Sequence, residues 1–440
     1  MVAPADKTVL KNGIRILTKK MPHTRSVSMG VWVNVGARDE NLSESGLSHF
    51  IEHMIFKGTR RRSAFQIAKE FDAIGGHTNA FTSMENTCYH AKVMDTHTET
   101  MVEILSDIFL NSIFDPSEIE KERPVILQEI GMVEDSPDEY VHLLSGKNFW
   151  GDNPLGRSIL GNPENIIRFD ADLIKKFFHR LYQPDRIVIS VAGNVEHAGI
   201  TDRVGPAFES IRPGNGIAER LATPGQSLVD LNYRELEQVH ICLGVPGLAI
   251  TDPRRYACSL LNTILGGNMS SRLFQEIREK RGLAYTVYSF VASHVDTGMF
   301  GIYFAVDPKR ALATTELVLN EIHKLRNESV AAAELQGAIE YTKGSLLLAS
   351  ESNDNQMVRS AQNEIHFNRD MALQEVIENA DANENTIAEF AIGTSHKSEL
   401  GGQYEKGMMG TVDFALGDNH HCYPGGQSVS NVHLVGVSGM

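Results

Sequence analysis

Apolar positions change period along this chain, and each change marks an element. Residues 10–17 (LKNGIRIL) hold Asn12-Gly13, a hairpin turn signal between strand-like flanks. Residues 26–35 (SVSMGVWVNV) alternate as a strand does. A helix carrying GLSHFIEHMIF follows. Ser63 then precedes a second helical run (AFQIAKEFDAIG), which Gly75-Gly76 ends. Strands are predicted over 78–81 and 87–93, and helices over 98–109 and 116–133. Pro124 lies inside the last of these and predicts a kink or a break there. Residues 186–192 (RIVISVA) read as another strand.

Residues 213–225 (PGNGIAERLATPG) are polar and loop-like, and the domain boundary is placed there. Beyond it the order of elements partly repeats. A strand over 239–245 leads to a helix over 253–264, then Gly266-Gly267, then a charged helix (SSRLFQEIREK). Strands over 285–291 and 298–306 and a helix over 310–325 follow. The expectation is two related α/β domains, 1–212 and 226–400, joined by the linker 213–225. From residue 401 the chain is rich in Gly, His, Ser and Asn, and 401–440 reads as an atypical, loosely ordered tail. Its His420-His421-Cys422 run is read as incidental rather than as a metal site.

Length and composition fit that division. The chain has 440 residues, 42% hydrophobic and 22% charged, enough for two sizeable cores. Its formal net charge is -15, which argues against nucleic acid as a partner and favours cationic ligands. The 4 cysteines are far apart with no C-x-x-C spacing, so a disulfide scaffold is not expected. No secretory signal and no run long enough to span a bilayer is visible, and a cytoplasmic protein is the expectation.

The chemistry concentrates in His49-Phe50-Ile51-Glu52-His53. In a helix, positions i and i+4 share a face, so His49 and His53 can hold one divalent ion. Glu52 stands beside that face and can take a proton from water that the ion activates. This order is the inverse of the H-E-x-x-H zinc motif. Two histidines and an acid could equally sit on a solvated face, but this run is apolar on both sides, and buried polar groups need partners. Catalytic zinc usually takes three protein ligands and leaves a position open. Glu122 and Glu129 lie two turns apart on one face of the later helix, and spacing alone does not choose between them.

Several segments together resemble the pitrilysin/insulinase family of zinc peptidases. They are GLSHFIEHMIFKGT, GGHTNAFTSMENT, ERPVILQEI, NPLGRSILG and LGGNMSSRLFQEIREKRGLAYTVYS, within a resemblance covering about residues 10–374. The match is to the short two-domain branch that includes the mitochondrial processing peptidase beta subunit and its bacterial relatives. The resemblance implies an α+β fold of two related domains, each a mainly antiparallel sheet packed with helices, enclosing a cavity. It implies one zinc ion per chain on His49, His53 and Glu129, with Glu52 as general base and Glu122 supporting the site. Phe56 falls at a position associated with the pocket for the residue after the cut. Asn79 and Ala80 fall on a strand edge that receives the peptide, a mode that uses main-chain hydrogen bonds. Arg278 and Tyr285 match a second-domain pair that binds substrate or the developing oxyanion. Relatives usually close the second domain with a helix and a strand. Here 377–390 keeps helical character, but no closing strand is recognised after it.

The function expected is zinc-dependent endopeptidase action on unfolded or short peptides, including basic, presequence-like ones. A homodimer is implied, with a heteromeric partner as the alternative. Two rivals stand beside this. One is an inactive structural subunit of the same fold, which loss of a metal residue would have supported. The other is a zinc amidohydrolase acting on small molecules.

Overall fold

The computed structural model describes residues 4–214, 219–382 and 433–435. They divide between two compact units that are not simple halves of the sequence. The first unit takes Met1–Val133, Arg157–Arg220 and Leu346–Leu373. The second takes Glu134–Gly156, Leu221–Ser345 and Gln374–Met440.

The first unit is built on a six-stranded sheet. Its strands are β1 (Asp6–Val9), β2 (Arg15–Lys20), β3 (Ser26–Val33), β4 (His77–Thr82), β5 (Thr87–Met94) and β6 (Ile187–Gly193), ordered β1-β2-β6-β3-β5-β4. Only β2 and β6 run parallel; the other neighbours are antiparallel. The β1–β2 hairpin turns through Gly13, whose φ of 99° needs no Cβ. The central strands β3 and β6 are buried almost throughout, because both faces of the sheet are covered. One face carries the main core, including Val31, Phe50, Ile104, Phe109 and Ile189. The other is covered by the helix Asn353–Phe367, whose Met357 and Ala361 pack with Leu17, Trp32 and Val188. By contrast, among the described residues β4 pairs only with β5, and it alternates between exposed and half-buried residues, as an edge strand does.

Among the helices that contribute to the main core are α1 (Leu47–Met54), α2 (Ala64–Ala73), α3 (Thr98–Asn111) and α4 (Pro116–Asp135). A capping box starts α2: Ser63 Oγ accepts from Gln66 N at 3.3 Å, and Gln66 Oε1 from Ser63 N at 2.8 Å. Of the kink or break expected at Pro124, the break is not there; α4 is one helix of 20 residues. Proline removes one N–H bond, here to the carbonyl of Glu120. Both residues lie on the solvent face, where water can take that carbonyl.

The second unit has a five-stranded sheet of β7 (Asp230–Asn232), β8 (Val239–Pro246), β9 (Ala284–Ser293), β10 (Gly298–Val306) and β11 (His433–Val435), ordered β7-β11-β8-β10-β9. Its core gathers Ile241, Leu260, Ile277, Phe304 and Val318. The helix Pro137–Trp150, from the first half of the chain, lies against β8, with Val141 and Leu144 beside Cys242 and Tyr303. The reading that no closing strand follows is corrected: β11 pairs antiparallel with β7 and parallel with β8. Three residues are too short for alternation to be seen, so only their pairing partners define them. The run His420–Cys422 lies outside the described residues. Cys88, Cys242 and Cys258 are buried free thiols. Among the described residues no helix is long and apolar enough to cross a membrane.

Candidate metal centre

The centre starts from how α1 is held. Its apolar residues Leu47, Phe50, Ile51 and Met54 are fully buried in the first core. The helix begins at Gly46, whose φ is 102°, and a Cβ there would come within 2.9 Å of Gly161 Cα and of Leu160 O. Glycine is therefore required on both conformational and steric grounds. No side chain next to the helix caps it. Instead the buried Glu40 reaches in, its carboxylate accepting from Gly46 N at 2.7 Å and Ser48 N at 2.6 Å. Burial pushes Glu40 up to about 8, while the two N–H donors pull the other way.

With the apolar face committed, helical spacing brings His49 and His53 together on another face. Their Nε2 atoms are 3.3 Å apart. Glu129 comes in from α4, with Oε2 3.6 Å from His49 Nε2 and 3.5 Å from His53 Nε2. These three are the only group of three or more His, Cys, Asp or Glu among the described residues with converging donor atoms. In a tetrahedral zinc site with bonds of about 2.0–2.1 Å, neighbouring ligand atoms lie roughly 3.3–3.4 Å apart. The observed separations match that edge length, and two imidazole nitrogens with one carboxylate oxygen are a donor set zinc accepts.

The surroundings separate the roles of the two acids on α4. Glu122 Oε1 lies 2.9 Å from His53 Nδ1, and its Oε2 accepts from Lys57 Nζ at 2.6 Å. Burial opposes the charge of Glu122, but Lys57 and His53 outweigh it and hold the carboxyl below its ordinary range. A carboxylate on Nδ1 fixes that nitrogen as the N–H and leaves Nε2 as the acceptor. His49 Nδ1 is buried with no hydrogen-bond partner among the described residues. Burial, with His53 beside it, lowers His49 to about 4. The ring is therefore neutral near pH 7, the form that binds metal.

Glu52 lies on the same helix, with Oε2 accepting from Thr82 Oγ1 at 2.6 Å. Burial raises its carboxyl, while Thr82 and His53 draw it down. A carboxylate raised in this way suits proton transfer. Asn79 and Ala80 lie on the free edge of β4, where Asn79 Oδ1 accepts from Ala80 N at 2.9 Å. Phe56 is half-buried against the core, its ring 6.5 Å from that of Tyr89. Arg278 and Tyr285 belong to the second unit and meet there. The guanidinium lies 4.7 Å over the Tyr285 ring, and Tyr285, on the edge strand β9, is 77% exposed.

A model described as Insulinase (Peptidase family M16) matches residues 15–163, and one described as Peptidase M16 inactive domain matches residues 168–341. The chain belongs to peptidase family M16. This M16 chain is 42% identical over 373 residues to an uncharacterized zinc protease, YmxG, of Bacillus subtilis, covering 84% of this chain and 91% of that one. It is 38% identical to an uncharacterized zinc protease of Streptomyces coelicolor, covering 84% and 83%. Its fold is similar to that of a protease from Helicobacter pylori, with a TM-score of 0.83, 22% identity and coverage of 88% and 96%.

Three residues at or near the centre of this M16 chain escape sequence reasoning: Glu40, Lys57 and Thr82. Lys57 stands four residues after His53, a spacing that could have suggested its shared contact with Glu122. Nothing in the sequence around Glu40 or Thr82 announces a partner in α1.

Proposed function

We propose that this M16 chain is a zinc-dependent endopeptidase acting on unfolded or short peptides, with one zinc held by His49, His53 and Glu129. The observation that carries the reading is the convergence of those three donor atoms at 3.3–3.6 Å, with Glu52 on the same short helix. When bound, zinc supplies a Lewis acid that polarises the scissile carbonyl and lowers the pKa of water. Glu52 takes the proton of the attacking water and returns it to the leaving amine nitrogen. Glu122 holds the His53 ring in the tautomer that presents Nε2. The peptide adds as a strand along β4 beside Asn79 and Ala80, so its backbone rather than its side chains sets most of the binding. Phe56 contributes to the pocket for the residue after the cut. Arg278 and Tyr285 bind the peptide and the developing oxyanion.

The net charge of -15 favours basic, presequence-like peptides within this class. The proposal carries with it a homodimer working in the cytoplasm, which light scattering and cell fractionation test. The main test is cleavage of a fluorogenic peptide library. Cleavage should be removed by a chelator, restored by zinc and abolished in Glu52→Gln. A folded preparation loaded with one zinc per chain that cuts nothing would sink the peptidase reading in favour of an inactive subunit.

A further inference from the structure

Thr82 is the last residue of β4 and pairs in register with Thr87. Its hydroxyl donates to Glu52 Oε2 at 2.6 Å, a short bond to a carboxylate. Among the described residues no hydrogen bond to Glu52 Oε1 is found, so one oxygen is committed and the other is left for chemistry. A glutamate has three rotatable side-chain bonds and would otherwise sample several orientations. Threonine is branched at Cβ and stiff at χ1, and here its backbone is fixed in the sheet. The donor is therefore rigid where the acceptor is not. The same strand offers the free edge at Asn79 and Ala80, two to three positions away.

We propose that Thr82 is a positioning residue: its hydroxyl fixes Glu52 with Oε2 tethered and Oε1 free to take the proton. The strand that receives the peptide thus also sets the general base, so substrate backbone and base share one rigid reference. This inference rests on the peptidase reading above.

The test compares zinc-loaded wild type with Thr82→Val, which keeps the shape and removes the hydroxyl, and with Thr82→Ser, which keeps the hydroxyl. Removing a partner that orients a group at a metal site typically costs about 10–100-fold. Thr82→Val is expected to lower kcat by about that factor with KM, zinc stoichiometry and unfolding midpoint unchanged, and Thr82→Ser to recover most of the loss. A merely structural role would shift the midpoint and would not split kcat from KM. The proposal is overturned by a Thr82→Val enzyme with wild-type kcat, by loss of zinc in that variant, or by a Thr82→Ser enzyme as slow as Thr82→Val. If zinc-loaded wild type cuts no peptide, the peptidase reading fails first and the role of Thr82 falls with it.

Discussion

Glu122→Gln tests the site's wiring without changing its shape. In the native chain the two oxygens of Glu122 serve two donors: Oε1 faces His53 Nδ1 at 2.9 Å and Oε2 faces Lys57 Nζ at 2.6 Å. A glutamine has one oxygen for the same two neighbours. Lys57 carries only donors, so the oxygen turns to it and the amide NH2 turns to His53. His53 Nδ1 must then accept, which places the proton on Nε2, the atom that faces His49 and Glu129. The variant thus sets the wrong tautomer at a proposed metal ligand. The expected cost is about 10–100-fold in zinc affinity, or about 1.4–2.7 kcal/mol. Competition with a chromogenic chelator at pH 7.5 measures it, with unfolding of the metal-free protein as the control for folding. Adding Lys57→Met removes the competing donor, returns the amide oxygen to His53 Nδ1 and should recover part of the affinity. Wild-type zinc affinity in Glu122→Gln, or no recovery in the double variant, refutes the tautomer argument.

Three further outcomes are expected from the same structure. In the metal-free protein His49 is lowered to about 4 by burial and by His53, against about 6.5 unfolded. Between those values only the unfolded chain binds the proton, so stability rises with pH across that window by at most about 3 kcal/mol from this group; urea unfolding of wild type and His49→Asn at pH 5 and pH 7 should show a smaller pH effect in the variant. Gly46→Ala meets a left-handed backbone and contacts at 2.9 Å, so it should lose more than the ~1–2 kcal/mol of the backbone term alone, read as a lower thermal midpoint together with weaker zinc binding. A chain ended at residue 345 lacks the helix that covers Leu17, Trp32 and Val188, and each such side chain loses about 1.5–3 kcal/mol of burial; soluble, cooperatively unfolding truncated protein would count against that account.

What could be read in advance depended on how local each relation was. His49, Glu52 and His53 were legible because the helical period alone places them, whatever the helix packs on. The same period put Glu122 and Glu129 on one face of α4 but could not rank them. Their difference lies in how α4 sits against α1: Glu122 reaches the Nδ1 side of His53 and Glu129 the Nε2 side. The central strands were found, but the alternation that marked residues 26–35 as a strand does not show that nearly all of β3 is buried. Its second cover arrives from far later in the chain, after the whole of the second sheet's β7–β10.

That cover, the helix Asn353–Phe367, shows why the rest was hidden. Its sequence, NDNQMVRSAQNEIHF, reads as a polar surface helix. Asn353, Gln356, Ser360 and Glu364 are nevertheless buried, and two of them hydrogen-bond to groups of the sheet through one atom each, while Asn353 Oδ1 and Glu364 Oε2 have no hydrogen-bond partner among the described residues. Asn353 Nδ2 donates to Ser26 O at 2.6 Å, and Glu364 Oε1 accepts from Lys7 Nζ at 2.5 Å. Burial of a polar side chain is tolerated when its partner is waiting, and the partner is a property of the fold rather than of the segment. Glu40 and Thr82 obey the same rule, the first serving the N–H groups of α1 and the second the carboxylate of Glu52. Periodicity counts apolar residues and is blind to such pairs. Glu40 and Thr82 are therefore the groups a single sequence hides, while His49, Glu52 and His53 are set by five consecutive residues and Glu129 is brought to them by α4.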